Sequence, residues 1–201
     1  AGGVHLALLE ATNLVELQKE ASDANFTVGD LFLGKLKKLM PGTNAAFIDV
    51  GYEQDAFLHY TDLSPYIKSL LKFTKMAQTD KSENGFDFYK FNVEPEIVKT
   101  GKINEVFSGK PDVLVQILKE PIASKGPRLS CEISLPGRFI VITPFNNVIA
   151  VSKKIHSSDE RKRLQHIVEA IKPNNIGVIV RTAAEGKNTA ELHDDLRELL
   201  Q

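Results

Sequence analysis

The stretch Asn44-Ala45-Ala46-Phe47-Ile48-Asp49-Val50 alternates between two kinds of side chain. Successive residues of a β-strand point to opposite faces of the sheet, so every second residue from Ala46 to Val50 is predicted to face a core. Phe47 then lies on the opposite, more polar face. The next segment repeats the pattern, because Phe57 and His59 alternate with apolar residues. Two neighbouring strands are therefore expected to carry aromatic side chains on one outer face.

Five short segments of this kind predict a small β-barrel. They lie at 31–39, 44–51, 54–58, 112–118 and 128–133, with turns at Pro41-Gly42 and at Gly51-Tyr52-Glu53. Five strands separated by such turns favour an antiparallel barrel of the OB type. Residues 60–108 interrupt the strands and are interpreted as an insertion, partly helical near 62–76 and otherwise loop. The insertion carries an aromatic cluster made of Phe86, Phe88, Tyr89 and Phe91.

The two ends of the chain follow other patterns. Residues 4–18 predict a β-hairpin with a turn at Thr12-Asn13. Residues 138–143 and 148–152 are interpreted as a strand pair, and 176–181 as an apolar strand. Two capping boxes, Ser157 with Glu160 and Asn188 with Glu191, predict two helix starts. The predicted fold class is α+β, with a partial hairpin at 1–25, the barrel and its insertion at 26–130, and a small α/β region at 131–201.

The composition is that of an ordinary globular protein in a reducing compartment. Hydrophobic residues make up 42% of the 201 residues, and the single cysteine excludes an intramolecular disulfide. No apolar run reaches membrane-span length, so no membrane segment is expected and a cytoplasmic location is predicted. The formal net charge is −1, whereas nucleic-acid binders are often basic. Any binding of nucleic acid must therefore rest on a local patch.

The aromatic side chains of the barrel form the first candidate site. Phe47, Phe57 and His59 would make a platform on which nucleic-acid bases can stack. Basic residues nearby could contact phosphates, and they are Lys35, Lys37, Lys38, Lys125 and Arg128. Two alternatives remain open at this point: the phenylalanines could cover a second small core or pack under the insertion, and the basic residues could form a solvated face.

Arg181 and Thr182 form the second candidate site, at the end of the predicted strand 176–181. An arginine presents a fork of donors that matches phosphate oxygens, and a neighbouring hydroxyl adds another donor. The alternative is an arginine at a strand end paired with an acid such as Glu185.

No catalytic residue and no metal ligand can be assigned from the sequence. Phosphodiester cleavage by two metal ions requires clustered carboxylates, whereas Asp49, Glu53 and Asp55 are better interpreted as turn and strand-edge residues. The five histidines show no ligand spacing. No cofactor is therefore predicted for these 201 residues.

Several longer motifs, in this order, resemble the ribonuclease E/G family. They are Leu6-Ala7-Leu8-Leu9-Glu10, Leu14-Val15-Glu16-Leu17, Met40-Pro41-Gly42-Thr43-Asn44-Ala45-Ala46-Phe47-Ile48-Asp49-Val50-Gly51, Ala56-Phe57-Leu58-His59, Lys125-Gly126-Pro127-Arg128-Leu129, Leu135-Pro136-Gly137-Arg138-Phe139, Val151-Ser152-Lys153-Lys154-Ile155 and Val180-Arg181-Thr182-Ala183-Ala184-Glu185-Gly186. The resemblance covers nearly the whole chain except residues 62–105.

The resemblance implies roles for several residues. In the family, aromatic residues of the barrel contact single-stranded RNA, and Phe47 and Phe57 match those positions. Lys125 matches a basic position beside them, whereas His59 and Lys35 are proposed from geometry alone. The family reads a 5′-monophosphate with an Arg-Thr pair, which Arg181 and Thr182 match. The glycine and valine that shape this pocket are matched by Gly137 and Val141.

The resemblance also implies what the chain is part of. It is expected to be the N-terminal part of an endoribonuclease, a hydrolase of rRNA processing and mRNA decay that forms homo-oligomers. The catalytic domain, with Mg²⁺ and a possible zinc linker, would lie outside these residues, and 1–25 would be a piece of a ribonuclease-H-like domain. One alternative is a non-catalytic RNA-binding adaptor or chaperone. Another is a protein-interaction module that uses the insertion.

Overall fold

The computed structural model describes residues 3–10, 13–21, 26–79 and 91–201. Strands β1 (Gly3–Glu10) and β2 (Asn13–Ala21) pair antiparallel in a two-stranded sheet. This confirms the strand pairing predicted for residues 4–18, although Thr12 of the predicted turn lies outside the described residues. The bounds predicted for the three domains stay a prediction.

A closed barrel of five strands follows, as predicted. Its strands are β3 (Leu31–Met40), β4 (Ala45–Asp49), β5 (Ala56–His59), β6 (Asp112–Lys119) and β7 (Arg128–Ser130). The order around the barrel is β3-β4-β5-β7-β6. The barrel is mixed rather than wholly antiparallel, because β5 and β7 pair in parallel. A parallel pair cannot be joined by a tight turn, and here the whole insertion lies between the two strands.

The apolar side chains at alternate positions of β4 and β5 fill the barrel, as predicted. Ile48 and Leu58 are fully buried, together with Leu36 of β3 and Leu129 of β7. Gly34 allows the close approach of β3 to β4, since a Cβ there would lie 2.4 Å from Cγ2 of Ile48. The core therefore accounts for one face of each strand and leaves the other face for Phe47 and Phe57.

The insertion contributes to the core of the barrel. Helix α1 (Ile67–Thr79) confirms the helix predicted near 62–76, and a short helix α2 (Ile103–Val106) was not predicted. Ile67, Ile103 and Phe91 are buried in the same cluster as the barrel residues. Of the predicted aromatic cluster, Phe86, Phe88 and Tyr89 lie outside the described residues.

A second sheet lies C-terminal to the barrel, with strand order β10-β11-β9-β8. Its strands are β8 (Leu135–Pro136), β9 (Ile140–Pro144), β10 (Ile149–Val151) and β11 (Ile176–Val180). The predicted pairing of 138–143 with 148–152 is wrong, because β11 lies between β9 and β10. The reason is burial: four of the five residues of β11 are buried, so this strand takes a central position.

Two helices complete the second core. Helices α3 (Ser158–Ile171) and α4 (Thr189–Leu199) bury Leu164 and Leu192 against the sheet. Asn188 and Glu191 form the predicted capping box. Ser157 caps α3, but the carboxylate of Glu160 turns to Arg163 instead of closing a second box. Barrel, second sheet and helices together confirm the α+β class. No helix within the described part of the chain is long and apolar enough to cross a membrane.

Candidate nucleic-acid interface

Phe47 and Phe57 are opposite each other on β4 and β5. Their ring centroids are 6.0 Å apart with an interplanar angle of 67°, an edge-to-face arrangement. Both rings are half-buried. They therefore keep exposed ring surface on the outside of the barrel, in two different planes, and neither lies in the barrel core.

An open cleft of about 560 Å³ brings four of the predicted residues together. It is lined by Phe47, Gln54, Asp55, Phe57, Ser124, Lys125, Gly126 and Arg128. Gly126 is needed for this geometry, because a Cβ there would lie 2.4 Å from the backbone oxygen of Asp55. The loop at 124–126 thus packs against the backbone of Gln54 and Asp55, and both segments line the cleft beside the aromatic pair. The sequence analysis named Phe47, Phe57, Lys125 and Arg128. It missed Gln54 and Ser124, whose only signal is that they flank those turns.

The structure places His59 and Lys35 outside the lining of this cleft. His59 packs beside Phe57 at a centroid distance of 6.4 Å and an interplanar angle of 27°. Its Nδ1 accepts the backbone N–H of Thr61 at 3.2 Å, which fixes the orientation of the ring. Lys35 is exposed and lies opposite Asp49 in the ladder between β3 and β4.

Lys37 is committed to two carboxylates. It lies at the register shift between Leu36 and Lys38, and its Nζ is 2.7 Å from Asp55 and 3.3 Å from Asp49. The hydrogen bond that Lys37 donates to Asp55, followed by the one to Asp49, raises the pKa of Lys37. The N–H of Gly51 and then Lys37 lower the pKa of Asp49. Neither these carboxylates nor other acidic, cysteine or histidine side chains within the described ranges form a metal-binding group of three or more.

Arg128 is also paired. Its Nε donates to Oδ2 of Asp62 at 2.9 Å and its Nη2 to Oδ1 at 3.2 Å, a bidentate pair. Asp62 is part of a 3-10 turn, Tyr60–Asp62, whose last carbonyl accepts the N–H of Cys131 at 2.9 Å. Arg128 therefore fastens this turn to β7. Arg128 lines the cleft, but Asp62 already neutralises its charge.

The second candidate site lies where β11 ends. Nη1 of Arg181 donates to the carbonyl of Gly137 at 2.6 Å and to that of Arg138 at 3.5 Å. Within the described residues its guanidinium thus contacts backbone oxygens rather than the carboxylate of Glu185. The hydroxyl of Thr182 is 3.0 Å from that of Ser152, which sequence reasoning missed as a site residue. Arg181 and Thr182 are both exposed.

The two remaining predicted residues lie on the neighbouring segment. Gly137 precedes β9 and contacts Arg181 through its carbonyl. Val141 lies on β9 opposite Ile179 of β11. It is half-buried, whereas Ile140 and Ile142 on the other face of β9 are buried. The structure therefore brings Gly137 to Arg181 and places Val141 on the sheet face turned away from the core.

The loop after Thr182 is fastened to α3. Oε1 of Glu160 accepts the N–H of Gly186 at 2.8 Å, and Arg163 makes two bonds of 2.7 Å to the same carboxylate. Arg163 also donates to the carbonyl of Lys187 at 2.8 Å. Arg163, followed by Gly186, lowers the pKa of Glu160 to about 2. Arg163 and Glu160 of α3 therefore support the loop that follows Thr182.

Comparisons with known proteins find similar sequences in one family. The profile of the Ribonuclease E/G family matches residues 134–201. Ribonuclease E of Nostoc sp. is 37% identical over 87% of this chain, which spans 21% of that protein. Ribonuclease G of Haemophilus influenzae is 34% identical over 94% of this chain, which spans 35% of that protein.

One solved structure is also similar over a short stretch. The RNase P protein of Staphylococcus aureus aligns with 33% of this chain and 76% of its own, at 24% identity and a TM-score of 0.29. That score is too low to support an argument. The two ribonucleases are decisive, because each exceeds 30% identity over most of this chain. The chain therefore belongs to the ribonuclease E/G family.

Proposed function

We propose that this chain binds single-stranded RNA on its barrel and recognises a 5′-monophosphate beside β11, as part of an endoribonuclease for RNA processing and decay. The observation that carries the proposal is the cleft that gathers Phe47, Phe57 and Lys125. The names of the similar proteins, Ribonuclease E and Ribonuclease G, support the kind of enzyme to which the chain contributes.

Stacking supplies the sequence-independent part of the binding. Phe47 and Phe57 present ring surface in planes 67° apart, which suits bases that are splayed apart rather than stacked in a duplex. Each stacked base contributes roughly 1–3 kcal/mol. An RNA strand with unpaired bases is therefore the ligand that fits this surface best.

Lys125 supplies the phosphate contact. Lys37 is held by Asp49 and Asp55, and Arg128 is held by Asp62. Lys125, in contrast, is exposed at the rim of the cleft and has no ion pair among the residues that the structure describes. An uncommitted ammonium can replace the counterions of a phosphate. The low net charge of the chain is thus compatible with RNA binding at one cation-bearing cleft.

The test is a double substitution, Phe47→Ala with Phe57→Ala. Loss of two stacking surfaces at roughly 1–3 kcal/mol each is expected to weaken RNA binding by tenfold or more. Fluorescence anisotropy with a short unstructured oligonucleotide measures this. Phe32→Ala is the matched control, because Phe32 stacks on Phe26 at a centroid distance of 4.8 Å away from the cleft. Equal affinities of the double variant and the wild-type chain would refute the proposed surface.

The second half of the proposal concerns the RNA end. A 5′-monophosphate carries an extra charge and terminal oxygens that an internal phosphodiester lacks. The guanidinium of Arg181 is oriented by Gly137, and the hydroxyls of Thr182 and Ser152 lie 3.0 Å apart beside it. Charge-assisted hydrogen bonds from such donors contribute about 1.5–3 kcal/mol each before solvent screening. This site, called the Arg181 corner, consists of Arg181, Thr182, Ser152 and Gly137. It is therefore suited to a phosphate with free oxygens.

We expect a preference for 5′-monophosphorylated over 5′-hydroxyl RNA that Arg181→Ala and Thr182→Val reduce several-fold. The oligonucleotides should be identical except at the 5′ end, and the salt concentration must be matched because phosphate binding depends on it. Glu185→Ala is the control, since Glu185 has no described bond to Arg181. A wild-type chain that binds both ends equally would refute this half of the proposal.

The metal ions expected from the family are not assigned to these residues. No group of three or more possible ligands occurs in the described part of the chain, so the donors present do not fit a catalytic Mg²⁺ or a zinc site. We assign binding and positioning of RNA to this chain and no step of the cleavage. A non-catalytic adaptor or chaperone would use the same surface.

A further inference from the structure

Asp195 on α4 is a buried carboxylate with an unusual set of partners. Only 8% of the residue is exposed, and it pairs with no cation among the described residues. Its Oδ1 accepts the backbone N–H of Arg138 at 2.9 Å. Its Oδ2 accepts those of Phe139 at 2.8 Å and Ile140 at 3.0 Å. A buried charge requires such bonds, because without them its desolvation would be prohibitive.

Three successive N–H groups that converge on one anion form a backbone nest. The loop 137–140 adopts this shape around the side chain of a residue more than 50 positions later in the chain. Gly137 lies directly against the carboxylate, because a Cβ there would be 2.7 Å from Oδ1 and 2.8 Å from Oδ2. The loop conformation is therefore held by Asp195 of α4, and Gly137 of the loop permits this close approach.

The same loop holds Arg181 at two points. The carbonyl of Gly137 accepts from Nη1 of Arg181 at 2.6 Å. The carbonyl of Phe139 accepts the backbone N–H of Arg181 at 2.8 Å. The N–H groups of the loop point to Asp195. The carbonyls of Gly137 and Phe139 point to Arg181 and hold it. The chain of contacts thus runs from α4 through the loop to the guanidinium.

We propose that Asp195 is a positioning residue for recognition of the RNA 5′ end, acting through the loop 137–140 on Arg181. The inference rests on the proposed 5′-end recognition and extends it to a residue that does not touch the RNA. Its consequence is that α4 controls how well the guanidinium is placed for a terminal phosphate.

Asp195→Asn separates this role from a general effect on RNA binding. The amide keeps one oxygen acceptor but turns an NH₂ group towards backbone donors, so the nest loses part of its bonds. The preference for 5′-monophosphorylated over 5′-hydroxyl RNA is expected to fall to nearly one. The affinity for 5′-hydroxyl RNA should stay unchanged, because the barrel supplies it. Asp194→Asn is the matched control, since the neighbouring Asp194 is exposed and pairs with Arg197 at 3.0 Å.

The experiment measures both affinities by fluorescence anisotropy for the wild-type chain and the two variants. A second measurement follows hydrogen exchange at the amides of Arg138, Phe139 and Ile140. These amides are expected to exchange slowly in the wild-type chain and faster in Asp195→Asn. If the variant does not fold, rapid exchange of the three amides in the wild-type chain would by itself overturn the proposal.

The two possible failures can be told apart. Equal affinities for both RNA ends in the wild-type chain refute end recognition, and the role of Asp195 falls with it. A wild-type preference that survives in Asp195→Asn refutes the role of Asp195 alone. A preference lost together with the affinity for 5′-hydroxyl RNA also overturns the inference, because the effect would then reach the barrel.

Discussion

The barrel cleft and the Arg181 corner present their functional groups in different ways. In the cleft, Phe47 and Phe57 come from regular strands and are placed by the alternation of β4 and β5. In the corner, Arg181 is placed by backbone carbonyls of a loop, and that loop is shaped by Asp195. The comparison shows that a binding surface on strands depends on local pattern. A site built from loops depends on contacts between residues far apart in the sequence.

Gly126, in the loop that lines the cleft, offers the sharpest test of how the cleft is held. At Gly126 a Cβ would meet backbone oxygens, 2.4 Å from that of Asp55 and 2.9 Å from that of Gln54. Backbone atoms of a turn cannot move aside as a side chain can, so we expect Gly126→Ala to cost about 1–3 kcal/mol of unfolding free energy. RNA affinity should fall as well, because the loop that carries Lys125 must shift away from the turn.

Urea unfolding and anisotropy measure these two effects. Gly42→Ala is the control, because nothing lies within 4 Å of a Cβ at Gly42. A Gly126→Ala variant as stable as Gly42→Ala would mean that the loop 124–126 is not packed tightly against Gln54 and Asp55.

Substitution of the barrel lysines is expected to have a smaller effect, which appears in the salt dependence of RNA binding. Lys125→Ala is expected to reduce the slope of log K against log salt by about 0.7, the contribution of one phosphate contact to a single strand. Lys37→Ala should leave the slope unchanged, because Asp49 and Asp55 already neutralise Lys37. Titrations at several salt concentrations give the slopes. A larger change for Lys37→Ala than for Lys125→Ala would reverse the assignment of the phosphate contact.

Glu160 predicts the smallest effect, confined to the loop after Thr182. Its pKa is lowered from 4.5 to about 2, first by Arg163 and then by the N–H of Gly186. A depressed pKa means that the charged form stabilises the folded chain above about pH 4.5, and that this contribution is lost as the pH falls through about 2. Glu160→Gln should therefore lower the melting temperature slightly at pH 7.

That difference between Glu160→Gln and the wild-type chain should shrink steadily between pH 4.5 and 2. Thermal unfolding across this range measures it. Glu198→Gln is the control, because Glu198 is exposed on α4 and forms no ion pair among the described residues. A difference that stays constant down to pH 2 would show that the charge of Glu160 is not what holds the loop.

Much of the cleft could be predicted from the sequence. The alternation around Ile48 fixed which face of β4 is buried, and therefore where Phe47 lies. Lys125 was named as a nearby basic residue, and the resemblance to the family singled it out among the other basic residues. Gln54 and Ser124 could not be found in this way, because a turn residue faces a cleft only once the opposite loop is placed.

The C-terminal region was harder to predict. The three strands and two helices predicted there exist, but β8 was missed and β11 separates β9 from β10. Periodicity does not encode which apolar strand takes the centre of a sheet. Asp195 likewise gives no signal of its own, since an acidic residue on a helix is usually exposed. What was missed in both cases depends on tertiary packing.

The parallel pairing of β5 with β7 has a consequence for how the chain folds. Phe57 must find Arg128 across the whole insertion before the barrel can close. Loop-closure entropy grows only slowly with length, by about 0.6 kcal/mol for each doubling. Longer or shorter insertions would therefore alter stability little, provided that α1 and the core residues Phe91 and Ile103 are kept. The rate is another matter, because a topology rich in contacts between distant residues folds slowly, on the order of milliseconds to seconds. Closure of the barrel by β5 and β7 is therefore expected to be a late step of folding. The hairpin of β3 and β4 is expected to form well before it.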